Sequence, residues 1–453
     1  MKKNINIKAK RVFFIGIGGI SMSALAMLTK TQNVIVAGSD MNVSPLTKNL
    51  EKCISIYYGH KKSNIIRFKP DLVVYTGAIP KDNPELKFAL ENGIQCIERS
   101  VYLGEICNNY KHVIAISGTH GKTTTTAMIG EIFLKANLNP TIHVGGEVVN
   151  LKSNLYIGGL DYFITEACEY KKSFEHIKSE TAIVTNIECD HMDCYKDYDD
   201  LLLSFNNFAN MSKQVLIKGD NGLVKQLDNK HIFTFGTADS NYYVDNLEVI
   251  NDGYQFDVVK DDQFYSTFCI HLMGEYNVYN ALIAIAVADM YGISVAHIYS
   301  ALSNFKGVLR RNEMLGYVNK IPVYADYCHH PTEIKNSIAS FLTHYKKIIC
   351  IFQPHTYTRT LTLFNDFLKC FDGVKQLVIY KTYPAREEYI ERGSETYLYN
   401  HIKHRNKRLI MSSQNLIKYV NNVTDGDVII VLGAGDVYSI VKDNIWYVQC
   451  NLI

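Results

Sequence analysis

From Arg11 onward, short runs of β-branched and aromatic residues alternate with stretches of helical period: RVFFIGIGG, then Ile20 to Lys30, NVIVAGSD and DLVVYTGA, continuing to about Asn108. This rhythm predicts a parallel sheet with crossover helices, because parallel neighbours need a long connection across one face of the sheet. A second cycle opens with HVIAISGTHGKTTTT and passes through YFITEACEY, TAIVTNIECDH and QVLIKGD. Between Asn246 and Leu272 the pattern shifts to short strands with a turn at Asn251, Asp252 and Gly253, which predicts an antiparallel insertion or a sheet edge. A long helix is expected from Tyr276 to Tyr291. A third set, with KIPVYADY, KIICIFQPH, KQLVIYKTYP and DVIIVLGAGD as strands, begins near Arg311. The reading is α/β in three domains, 1–108, 109–312 and 313–453.

A length of 453 residues agrees with several cores rather than one. Apolar residues at 47% and charged residues at 20% give each core enough surface to bury and leave no sign of disorder. The 47 basic residues nearly balance the 45 acidic ones, so no general field exists to gather nucleic acid or acidic lipid, and bound phosphate must be held locally. Eleven cysteines without CxxC pairs point to reduced thiols. The basic start lacks a signal-peptide stretch and the longest apolar run, Ala281 to Ala288, is far short of a membrane span, so the cytoplasm is expected.

The strongest local signal is Ser117-Gly118-Thr119-His120-Gly121-Lys122-Thr123, followed by Thr124, between an apolar strand and a helix start. Glycines let the backbone fold around phosphate oxygens, the helix N-terminus aims N–H groups at them, Lys122 adds a charge and Thr123 can hold magnesium. Ile116 stands where the longer GxxxxGK[ST] pattern has its first glycine, so this is the shorter GTxGK[ST] variant. The loop alone leaves ATP or GTP open.

Gly16-Ile17-Gly18-Gly19-Ile20-Ser21 follows the first strand and Asp40 closes the second, the layout of a dinucleotide-binding unit with Ser21 in place of the third glycine. Glu166 and Glu169 end the strand YFIT, and Asn186, Asp190 and His191 follow AIVT. Ligands of open α/β sheets bind beyond the carboxyl ends of strands, so Glu166 and His191 are candidate metal partners beside Lys122, while Glu169 reads as a solvated loop charge. Tyr327, His329 and His330 after one late strand, and His355 and Arg359 after the next, form a candidate cleft wall, with Arg310 and Arg311 just before it.

Taken in order, GIGGISMSALA, GSD, SGTHGKTTTT, TNIECDHMD, GEYNVYNAL, GVLRR, ADYCHHPTEI, FQPHTYTRT and GAGD resemble the Mur ligases over nearly the whole chain. The resemblance implies an N-terminal Rossmann-like domain for a UDP-sugar, a central P-loop-type ATPase with a mixed sheet, and a C-terminal Rossmann-like domain for an amino acid. It implies ligation of L-alanine to UDP-N-acetylmuramate through an acyl phosphate, with ATP and magnesium. On the motifs it places Lys122, Glu166, His191 and Arg310 in catalysis. It puts Gly118, Thr119, His120, Gly121, Lys122, Thr123, Thr124, Asn277, Asn280 and Arg310 on ATP, and Thr123, Glu166 and His191 on the metal. Gly18, Ser39, Asp40, Thr76 and Asn186 fall to the UDP-sugar, and Tyr327, His329 and Arg359 to the amino acid. LLLSFNNFAN holds no lysine where other Mur ligases carry a carbamylated one, and Thr356 stands where many relatives of the alanine-adding branch have arginine. No nucleic acid or membrane partner is expected, and the chain reads as a monomer or weak homodimer. A Mur-type ligase for another amino acid or peptide, an NAD-dependent oxidoreductase and a nucleotide sensor are the alternatives.

Overall fold

The computed structural model describes residues 9–188, 194–220, 222–227, 231–250, 253–385 and 387–445. Three sheets carry the fold, as the alternating pattern predicts. The first holds β1 (Arg11–Ile15), β2 (Ile35–Asp40), β3 (Ser55–Tyr58), β4 (Leu72–Tyr75) and β5 (Gln95–Glu98), all parallel, in the order β3-β2-β1-β4-β5. Strand order reverses at β1, so the chain after β1 leaves the sheet at a topological switch point, where open α/β sheets take their ligands.

The second sheet has ten strands: β6 (His112–Ser117), β7 (Thr141–Val148), β8 (Ser153–Tyr156), β9 (Tyr162–Glu166), β10 (Thr181–Val184), β11 (Gln214–Lys218), β12 (Ile232–Phe235), β13 (Tyr242–Ile250), β14 (Gly253–Lys260) and β15 (Gln263–Ile270). Their order is β15-β14-β13-β12-β11-β10-β6-β9-β7-β8. β6 is thus flanked by β10 and β9, both parallel to it, with Ser117 opposite Val184 and Ile116 opposite Glu166. β7 and β8 pair antiparallel, which makes the sheet mixed. The expected insertion is the edge β13-β14-β15, and its strands of eight and nine residues are longer than the pattern suggested. The expected long helix spans Tyr276–Met290.

The third sheet contains β16 (Glu313–Val318), β17 (Ile321–Asp326), β18 (Ile348–Phe352), β19 (Gln376–Tyr380), β20 (Lys407–Ile410) and β21 (Val428–Leu432), ordered β16-β17-β21-β18-β19-β20. Only β16 runs antiparallel to its neighbour. Because β21 lies between β17 and β18, the segments ADYCHHP, QPHTYTR and GAGD leave the sheet side by side.

Two compact units hold these sheets. One comprises Met1–Glu248, Gln255–Ile270 and Val278–Lys306, the other Val249–Tyr254, His271–Asn277 and Gly307–Ile453. Successive side chains of β1 point to opposite faces, so Val12 and Phe14 enter one buried cluster while Phe13 and Ile15 enter another. Burial on both faces explains why the strand reads as an unbroken apolar run. The cluster containing Val12 and Phe14 continues through Phe163, Phe174, Phe205 and Phe208, so one core joins the first sheet to the second. The third sheet has a core on each face, around Phe352 and around Val323.

Gly104 in the helix Arg99–Cys107 lies against the backbone of His176, and a Cβ there would run into the His176 carbonyl. An ordinary helix interior gains about 0.5–1 kcal/mol from glycine to alanine. Gly104→Ala is expected to do the reverse and lower the melting temperature; a rise in a thermal scan would contradict this packing.

Candidate active site

The loop after β6 takes its shape from two glycines in the left-handed half of backbone space, Gly118 at φ 129° and Gly121 at φ 85°. A side chain at either would collide, with the Thr185 hydroxyl at Gly118 and with the Asn280 amide at Gly121. The helix Lys122–Lys135 then begins, and its first amides have no intrahelical partners. The end of β10 brackets the loop. Thr119 N donates to the Asn186 carbonyl at 3.0 Å, His120 N to Asn186 Oδ1 at 2.9 Å, and the Thr185 hydroxyl to the His120 carbonyl at 2.6 Å. Asn186, expected on the UDP-sugar side, also donates Nδ2 to the His120 carbonyl at 3.0 Å, so both ends of its amide hold the loop.

Lys122 folds back over this loop. Its ammonium donates to the carbonyls of Gly118 and Thr119 and to Glu169 Oε1, the last at 2.9 Å. Glu169 is 2% exposed, which corrects the expectation of a solvated loop charge: the chain after β9 turns inward and brings the carboxylate onto the lysine. Burial alone would push the Lys122 ammonium down, but Glu169, with Cys168 and Glu166 behind it, outweighs that and raises its pKa. The lysine therefore stays charged.

Glu166 ends β9 beside the loop and accepts from Gly145 N on β7. A Cβ at Gly145 would lie 2.7 Å from Glu166 Oε2, so only glycine lets the strand come this close to the carboxylate. Asn280 is buried and accepts from the Thr125 hydroxyl at 3.2 Å, next to Gly121. Asn277 is also buried and donates to the Met273 carbonyl at 2.7 Å. Thr123 and Thr124 lie in the first turn of the helix. His191 and Asp190 lie outside the described residues.

At the end of the first sheet, Gly16 N and Ile17 N both donate to the Ser39 carbonyl, and Gly18 N donates to Asp40 Oδ2 at 2.8 Å. Asp40 thus caps the glycine turn. Ser39 presents only its backbone there, since its fully buried hydroxyl donates to Glu85. Thr76 sits across the turn, its methyl 3.1 Å from where a Cβ of Gly16 would stand.

The third sheet gathers its own cluster. Arg310, at φ 64°, is held between the rings of Tyr327 and Tyr438, 4.8 and 4.7 Å from their centroids, and donates to the Gly435 carbonyl at 2.8 Å. The His329 ring meets Tyr327 edge-on and lies 5.8 Å from that of His355, which receives Arg359 Nη1 at 3.0 Å. Thr356 adopts φ 66°, unusual for a β-branched residue, and so turns the chain between His355 and the helix Tyr357–Thr362. Asp326, at the end of β17, is buried, and burial raises its carboxyl pKa against the opposing pull of Arg311.

Three family models cover most of the chain: "Mur ligase family, catalytic domain" at residues 11–111, "Mur ligase middle domain" at 116–288 and "Mur ligase, glutamate ligase domain" at 310–435. The chain belongs to the Mur ligase family. Among Mur ligases it is 40% identical to the UDP-N-acetylmuramate–L-alanine ligase of Clostridium botulinum (strain Hall), covering 96% of this chain and 97% of that one. It is 41% identical to the enzyme of the same name from Clostridium novyi (strain NT), covering 95% and 96%. The crystal structure of UDP-N-acetylmuramate-alanine ligase MurC from Thermotoga maritima superposes with a TM-score of 0.83 at 27% identity, over 96% of this chain and 97% of that one.

Of this Mur ligase's buried acids, sequence reasoning took Glu169 for a solvated charge and did not single out Asp326. Glu169 had a signal in its place three residues after Glu166, and Asp326 in its place at a strand end. Neither position reveals burial. His143 on β7 was missed entirely; it joins Ser21 Oγ at 3.1 Å and Thr165 Oγ1 at 2.9 Å.

Burial and the charge of Arg99 hold the His143 imidazole down at about 3, and burial, His329 and Arg359 hold His355 down at about 4, against an ordinary 6.5. Both shifts are downward, so well above pH 6.5 neither state carries these protons. As pH falls below about 6.5 only the unfolded chain takes them up, and stability is lost with acid until the folded values are reached. Nitrogen NMR of the imidazoles at pH 5 is expected to find both neutral; titration midpoints near 6.5 would refute it.

Proposed function

We propose that this chain joins L-alanine to UDP-N-acetylmuramate at the expense of ATP, giving UDP-N-acetylmuramoyl-L-alanine, ADP and phosphate for peptidoglycan precursor synthesis. The observation that carries the reading is the glycine-shaped loop with a charged Lys122 at a helix N-terminus, beside a strand that ends in Glu166. Relatives about 40% identical over nearly the full length bear the name of that activity. Residues 1–108 are assigned to the UDP-sugar, 109–312 to ATP and 313–453 to the amino acid.

A carboxylate is a poor acyl donor because its leaving group would be oxide. In the proposed reaction an oxygen of the substrate carboxylate attacks the γ-phosphorus, the bond to the β-phosphate oxygen breaks and ADP leaves. The alanine amine then attacks the acyl carbon, and the tetrahedral intermediate collapses with loss of inorganic phosphate. Two anions must meet in the first step, so fixed positive charge at the transferring phosphoryl lowers the barrier. Lys122 supplies it, with the helix amides and Gly118 to Thr124 around the phosphates, Asn277 and Asn280 on the adenosine side, and Arg310 as a second cation. Glu166 and the Thr123 hydroxyl are hard oxygen donors, few enough for an ion that keeps waters and phosphate oxygens, and this set fits magnesium. Magnesium, when bound, neutralises phosphate charge. His191 was expected as a further partner and is outside the described residues. Gly18, Asp40 and Thr76 take the UDP-sugar, and Tyr327, His329 and Arg359 the amino acid. The protein acts in the cytoplasm as a monomer or weak homodimer.

A coupled ADP-release assay over a panel of nucleotide-sugars and amino acids tests the reading. Turnover is expected only with UDP-N-acetylmuramate, L-alanine and ATP together, and Lys122→Ala is expected to lose roughly 100- to 1,000-fold in kcat. Turnover with a peptide in place of alanine would move the chain to another branch of the family.

A further inference from the structure

Arg99 opens a helix directly after β5, so it stands at the carboxyl end of the first sheet with the glycine turn. Its Nη1 donates to the Ser21 hydroxyl of that turn at 3.3 Å. Ser21 in turn meets His143 Nε2, and His143 Nδ1 meets the hydroxyl of Thr165, the residue before Glu166. A chain of polar contacts therefore runs from the guanidinium through Ser21 and His143 to Thr165 on the strand that ends in Glu166. Its charge also bears on His143 and on Cys168. Among the described residues Arg99 forms no ion pair. A half-buried guanidinium has five donors in a planar fork, and a single hydroxyl leaves most of them for an anion.

We propose that Arg99 is a substrate-binding residue that takes an anionic oxygen of the sugar nucleotide. The inference rests on the reading that the sugar nucleotide binds at the first sheet's carboxyl end. That substrate has two sources of such an oxygen, the diphosphate and the carboxylate that becomes the acyl donor. His143 acts behind it as a neutral positioning residue, holding Ser21 without adding a competing charge.

Calorimetric titration of the full chain with UDP-N-acetylmuramate and with UDP-N-acetylglucosamine, which keeps the diphosphate and lacks the carboxylate, separates the two sources. Arg99→Met is expected to weaken UDP-N-acetylmuramate binding about 10- to 100-fold, as loss of a charge-assisted hydrogen bond does. ATP affinity and melting temperature should stay unchanged, and Arg99→Lys should recover part of the loss. Weakening shared by both ligands assigns the diphosphate, and weakening confined to UDP-N-acetylmuramate assigns the carboxylate; either supports the proposal. Gly18→Ala, whose Cβ would press on Asp40 and Thr47 at 2.8 Å, is the control for the site itself. If Gly18→Ala loses sugar-nucleotide binding while both Arg99 variants keep it, the proposal fails and the site assignment stands. If neither position matters, both fail. Equal loss of ATP and sugar-nucleotide affinity with a lowered melting temperature would mark Arg99 as structural and overturn the proposal. Should Arg99→Met not fold, Arg99→Lys decides by the same criteria, with a several-fold loss expected.

Discussion

The contact between Lys122 and the buried carboxylate of Glu169 organises the glycine loop after β6. An ammonium taken out of water without a counter-ion would shed its proton or turn back to solvent. Glu169 prevents both, and the carbonyls of Gly118 and Thr119 fix the direction in which the charge lies. Removing one partner of such a pair leaves the other charged and buried, which costs more than the pair itself contributes. The cation is therefore held at the loop by three protein acceptors.

Sheet order decides what surrounds that cation. β6 has β9 on one side and β10 on the other, so the ends of these strands deliver Glu166, Thr185 and Asn186 to the loop although they are distant in sequence. The first sheet repeats the arrangement, with the turn after β1 closed by Asp40 from β2. The third does so again, with β21 between β17 and β18 bringing Gly435 under Arg310. In each case adjacent parallel strands gather polar residues at one end because the crossovers between them return these strands in the same direction.

Period and punctuation made much of this legible. The apolar runs of β1, β6, β18 and β21, the glycines of both turns and the helix from Tyr276 all follow from local rules. Pairing across long sequence separations does not. Glu169 looks like any acid in a loop until the turn after β9 carries it onto Lys122, 47 residues away in sequence. His143 looks like one residue of an alternating strand, yet it meets Ser21 from 122 positions away. Ser39 and Asp40 were read together as ligand contacts, and only the packing around Glu85 separates a buried hydroxyl from a carboxylate at the turn.

In the proposed reaction, fixed charge at the loop lets ATP phosphorylate the substrate carboxylate before the amine attacks. Isotope transfer tests it most directly. With 18O in the carboxylate of UDP-N-acetylmuramate, one labelled oxygen should appear in inorganic phosphate for each molecule ligated. Label in AMP, or phosphate free of label while product forms, would contradict this order of steps.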